Sequence, residues 1–175
     1  MVQTYHHGRF EFFVAMIVIA IIALAALSRY YLMAEDAKIM RLQIISSQFM
    51  TGAANLRSHF LINSIVSKTK NQNATDISGQ QFYFSEKGWP VSVAGPVAND
   101  YRPTEEDCYQ LWMSLLQNPA PISKGAAGSQ HEFRVFVQAN NCRYEFSNGS
   151  AYFDYFPLDG KLIFISNGKN ISTNN

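Results

Sequence analysis

Cys108 and Cys142 are the chain's two cysteines, and cysteine can bind zinc, cycle through catalytic disulfides or cross-link a fold. Neither belongs to a C-x-x-C pair and no histidine neighbours them in sequence, so zinc and thioredoxin-like chemistry lack support. A disulfide and two buried thiols remain open. An even cysteine count in a domain held outside the cytoplasm favours the disulfide. It would close a loop of about 33 residues and contribute roughly 3–4 kcal/mol. The four histidines, His6, His7, His59 and His131, are scattered. There is no GxSxG, no phosphate-cradling glycine loop and no HExxH. Glu105, Glu106 and Asp107 cluster, but they fall in a first helical turn, where solvated capping charge is the simpler reading than a metal site. Asp154 and Asp159 flank an aromatic strand and a turn, which suits structural roles. N-x-S/T triplets begin at Asn73, Asn148 and Asn170 and matter only where a glycosylation machinery exists. Trp89, Tyr152 and Tyr155, read as exposed aromatics, could meet a sugar or a partner protein, with packing as the default. The expectation is a non-enzymatic protein with no catalytic, cofactor-binding or metal residues.

Two kinds of element must position these residues. At 175 residues the chain holds one domain plus an appendage. Its net charge of +1 gives no electrostatic case for nucleic acid. Aromatic residues, 14% of the total, concentrate in the C-terminal half and point to a β-rich domain there. FYFS at 82–85 and VSVA at 91–94 are short strand patterns separated by the turn EKGWP. PTEEDCYQLWMSLLQNP reads as a helix, with Thr104 and Asp107 as a capping pair and Cys108, Leu111, Trp112, Leu115 and Leu116 as its apolar face. EFRVFVQA, CRYEFS, AYFDYFP and KLIFIS then read as four strands joined by turns at Asn140-Asn141, Asn148-Gly149 and Asp159-Gly160. Such an antiparallel meander needs a cover for its apolar face.

The cover is expected from the N-terminus. Phe12–Leu27 contains no polar side chain and spans about 24 Å as a helix, which Ser28–Met33 extends toward the roughly 30 Å of a bilayer core. Signal-peptidase cleavage near Ala23–Ala26 is the alternative. Beyond the span, Ile39, Leu42, Ser46, Phe49, Ala53, Leu56 and Phe60 recur at steps of three and four, a helix stripe. Glu35, Asp36, Lys38, Arg41, Gln48 and Arg57 lie off it. One helix from about Phe10 to about Val66 is expected, with Gly52 its weak point; two helices broken near Gly52 or Arg29 are the alternative. The positive charges on either side do not settle orientation, but a disulfide would place the C-terminal domain on the oxidising side. Lys68–Gln81 reads as a polar loop leaving the helix. The division is thus 1–9, a leader-like segment on the cytoplasmic side; 10–33, the transmembrane helix; 34–67, its continuation; and 68–175, an α+β domain.

MIVIAII at 16–22, the long helix, the meander and the cysteine pair together resemble type IV pilins and their pseudopilin relatives. GWPVSVAG and CYQLWMSLLQNPAPIS…NNCRYEF look like the pilin-like proteins of the mannose-sensitive haemagglutinin (MSHA) pilus system. The resemblance implies a pilin-like α+β fold: a long N-terminal helix, membrane-spanning in its first half, packed against an antiparallel β-meander. It implies bacterial inner-membrane residence with a periplasmic domain, and as partners membrane lipid, major and minor pilins and assembly-platform proteins. Met16, Ile19 and Ile22 would then meet neighbouring helices or lipid, while Ile39, Leu42 and Phe49 would bind the sheet. Family members carry a glycine before the prepilin-peptidase cut, Phe or Met after it, and a glutamate five residues into the mature chain. Aligned on MIVIAII, Arg9 stands where the glycine belongs, Phe10 follows the cut, and Val14 stands where the glutamate belongs. Gly8 and Glu11 are present but displaced. Val14 removes an intersubunit attraction while sparing the roughly 3 kcal/mol that an ionised carboxylate costs in lipid; Glu11 remains the candidate assembly glutamate. The expectation is an uncleaved, membrane-retained assembly component. A cleaved minor pilin in the fibre and a bitopic ligand-binding receptor are the alternatives.

Overall fold

The computed structural model describes residues 5–67, 74–77, 79–96, 101–125, 131–166 and 169–171. It is α+β, with an apolar N-terminal helix, an antiparallel sheet and a larger mixed one. The helix α1 covers Tyr5–Ser67, starting upstream of the apolar run and passing through Gly52. The chain divides into two compact units, Met1–Met40 and Arg41–Asn175, so the boundary falls within α1.

In the second unit, α1 owes its place to the stripe. Leu42, Ser46, Phe49, Ala53 and Leu56 are buried and Phe60 is half-buried, whereas Arg41 and Gln48 are exposed. Ser46, the one polar residue on the stripe, donates its hydroxyl to the Gln43 carbonyl at 2.8 Å, so its burial leaves no unmet donor. Gly52 is a point of close approach: a Cβ there would stand 2.5 Å from the carbonyl oxygen of Leu115. The expected weak point is thus a packing requirement between two helices.

The second helix, α2 (Glu105–Leu115), begins with the expected capping box. The Thr104 hydroxyl accepts from the Asp107 amide at 3.1 Å, and an Asp107 carboxylate oxygen accepts from the Thr104 amide at 3.1 Å. Glu105 and Glu106 are solvated as expected, but Asp107 is buried, because it also receives the Ser92 hydroxyl.

The smaller sheet is antiparallel, in the order β1 (Ala74–Ile77), β2 (Gln80–Phe84), β3 (Pro90–Ser92). Of the loop expected over Lys68–Gln81, residues 68–73 lie outside the described residues. Residue 78 lies outside them as well; the rest forms β1 and the start of β2, with Gly79 at φ +82° donating its amide to the Asp76 carboxylate.

The larger sheet runs β4 (Ile122–Lys124), β5 (Phe133–Gln138), β6 (Asn141–Phe146), β7 (Ala151–Phe156), β8 (Lys161–Ser166), β9 (Lys169–Ile171). Strands β5 to β8 are the expected meander, and β9 continues it. The sheet is not purely antiparallel, because β4 pairs parallel to β5. Ile122 is the only apolar residue of β4, so no alternation marks this strand in the sequence.

The inward positions of β5–β8 build the core. Phe133, Val135, Tyr144, Phe153, Tyr155 and Phe164 are all nearly inaccessible. Phe49 of α1 lies 5.1–5.6 Å, centroid to centroid, from Tyr144, Phe153 and Tyr155. Trp112 of α2 stacks on Tyr144 at 5.3 Å and lies 5.7 Å from Phe133. Both helices therefore cover one face of the sheet. Tyr155, read as an exposed aromatic with packing as the default, is turned inward by its register opposite Leu162 and Cys142.

Candidate functional site

Among the described residues of the first unit, the candidate element is the apolar part of α1. Phe10–Tyr30, 21 residues, is long and apolar enough to cross a membrane. At 1.5 Å per residue it measures about 31 Å, against a hydrocarbon core of about 30 Å. None of this stretch is buried within the protein. Met16, Ile19 and Ile22 are more than half exposed, at 52%, 62% and 63%. Val14 is exposed as well, and so are Phe10 and Glu11 at the start of the span. Gly8 and Arg9 lie in the first turns of α1, where the backbone alone is described. The Ser28 hydroxyl bonds back to the Ala25 carbonyl at 2.9 Å, so it presents no unmet donor to an apolar surrounding.

The residues expected to bind the sheet separate. Leu42 and Phe49 are wholly buried, and Phe49 sits at the centre of the aromatic cluster; Ile39, within the first unit, is half-buried. The same helix has a second apolar set that the stripe does not use: Ile44, Leu61, Ile62 and Ile65 are exposed. Between them Thr51 and Ser58 return their hydroxyls to the carbonyls of Ser47 and Ala54. This part of α1 consequently has two faces, one closing the core and one available.

Cys108 and Cys142 are bonded, with Cα atoms 5.4 Å apart, tying α2 to β6. The Tyr144 hydroxyl donates to the Cys108 carbonyl at 2.8 Å, reinforcing the same junction. Two further phenols stitch the small sheet to the rest. Tyr155 donates to the Pro90 carbonyl at 3.1 Å and Tyr101 to the Val91 carbonyl at 2.8 Å. Burial raises the pKa of all three phenols, and for Tyr101 the nearby Asp107 charge adds to the effect.

Trp89 is half-buried, and its surroundings are structural. The Arg57 guanidinium lies 4.6 Å from its ring centroid, and Gly160 lies so close beneath that a Cβ would overlap the indole. Lys87 and Asp159 pair beside it. Asp154, read as structural, takes both arms of the Arg143 guanidinium at 2.7 Å. Tyr152 lies 3.8 Å beneath that guanidinium. The one signal for this pairing in the sequence is positional, since both residues point outward on neighbouring strands. Of the triplets, Asn148 stands exposed in the β6–β7 turn, Asn73 lies outside the described residues, and for Asn170 the backbone alone is described. Among the described residues, no three His, Cys, Asp or Glu side chains gather as a metal site.

These features define a class: an α+β protein with a span-length apolar helix and a disulfide-linked domain. Compared with known proteins, the chain matches no family model, no curated protein sequence and no solved structure.

Proposed function

We propose that the chain is a non-enzymatic, pilin-like component of type IV pilus biogenesis of the MSHA type. In this reading it is retained uncleaved in the inner membrane, with its disulfide-bonded domain in the periplasm. The observation that carries the reading is α1, which joins a span-length stretch at Phe10–Tyr30 to a stripe, Leu42 to Leu56, buried by an antiparallel meander. A membrane anchor alone needs no such stripe, and a soluble domain needs no such span. The exposed faces around Met16, Ile19 and Ile22, and around Ile44, Leu61 and Ile62, supply apolar surface for the helices of pilin subunits.

Retention follows from the start of the chain. Arg9 replaces the glycine a prepilin peptidase requires, and Val14 replaces the glutamate that registers a subunit in a fibre. Mass determination of the N-terminus on protein taken from native membranes tests this. An intact terminus, or loss of the initiator Met alone, is expected. A new terminus at Arg9 or Phe10 would overturn retention in favour of a processed fibre subunit.

A further inference from the structure

The face of the larger sheet turned away from α1 and α2 is unusual for a surface. On β7 and β8, where a solvated face should read polar, the outward residues include Tyr152, Ile163 and Ile165. Phe136 stands outward on β5, and these four side chains are all half-buried. Between them lie two cross-strand ion pairs, Arg134 with Glu145 and Arg143 with Asp154. The two carboxylates are 8% and 10% exposed. Burying ions at this cost is reasonable only when each is paired, and here each is. The face therefore carries no net charge from these groups, which argues against an anionic membrane surface or a phosphate ligand as its occupant.

The registers set out a grid. One row across β5, β6, β7 and β8 reads Phe136, Arg143, Asp154, Ile163, since Phe136 opposes Arg143, Arg143 opposes Asp154, and Asp154 opposes Ile163. A two-fold axis along the strands, between β6 and β7, turns this row onto itself. Arg143 then faces Asp154 of a second copy, and Phe136 faces that copy's Ile163. In the next row the same rotation sets Glu145 against Tyr152 and Arg134 against Ile165, so no like charges meet. We propose that this face is an isologous interface at which a second copy of the chain docks sheet to sheet. Four strands of six residues make a patch about 20 Å on a side, small for an interface, so association is weak and depends on crowding in a membrane. The inference is independent of any role in pilus assembly.

The register makes the test specific. Phe136 and Ile163 lie three strands apart in one chain, about 14 Å, too far to compensate each other within it. They meet only across the proposed axis. The full chain is labelled with donor and acceptor fluorophores in separate batches and reconstituted together in phosphatidylcholine vesicles. Energy transfer between copies is expected for the wild type. Phe136→Glu alone and Ile163→Lys alone should each weaken association on the order of tenfold or more, by setting a charge against an apolar side chain of the second copy. The double variant F136E/I163K should recover it. Circular dichroism and the intact Cys108–Cys142 bond check that each variant is folded. Absence of transfer in the wild type, single variants that associate normally, or a double variant as weak as the singles would each overturn the proposal.

Discussion

Tyr101, Tyr144 and Tyr155 each place a hydroxyl on a backbone carbonyl in the interior, and burial pushes each phenol's pKa above its ordinary value near 10. The sign of the pH dependence follows. In the unfolded chain these phenols release protons near pH 10, while in the folded chain they keep them. Their contribution to stability is therefore level below about pH 10 and declines as pH rises further. The chain has nine tyrosines. In an alkaline titration followed by tyrosinate absorbance, these three should ionise only together with loss of near-ultraviolet circular dichroism. Ionisation of all nine in one non-cooperative phase below the unfolding transition would contradict the placement of these three.

At the scale of elements, the junction between α1 and α2 carries a prediction whose sign discriminates. In an exposed helix Gly→Ala gains up to about 1 kcal/mol. At Gly52 the added methyl meets the Leu115 carbonyl at 2.5 Å, a backbone atom that cannot swing aside. Gly52→Ala should therefore destabilise the second unit by about 1–3 kcal/mol, read as a lowered thermal midpoint in detergent. A raised midpoint would mean the helices do not approach so closely. The disulfide between α2 and β6 closes a separation of 34 residues. Replacing both cysteines with serine should cost roughly 3–4 kcal/mol in denaturant unfolding, and an unchanged midpoint would show that the bond adds nothing. The legible elements are those with a long period: the α1 stripe, the capping box and strands β5 to β8. Strands β2 and β3 were legible too, from FYFS and VSVA on either side of a turn, whereas β1 (ATDI) and β4 (ISK) are short and hold one large apolar residue each. Gly52 was legible as an irregularity but not as a contact, because the Leu115 carbonyl that explains it is remote in sequence. The inward turn of Tyr155 follows from its sharing a face with Phe153, in line with packing as the default reading of these aromatics.

For the whole molecule, sequence and structure meet in the α+β class, the membrane-length helix and the disulfide. The departures from the expected pilin-type processing signal, at Arg9 and Val14, are read from the sequence. Piliation of the organism that encodes the chain is the most direct test of a role in pilus biogenesis. Surface pili are counted by electron microscopy after deletion of the gene and after complementation with the wild type or with Ile19→Lys, each checked for membrane retention. Pili should be lost or sharply reduced on deletion, restored by the wild type and not by Ile19→Lys. Normal piliation in the deletion strain would contradict it.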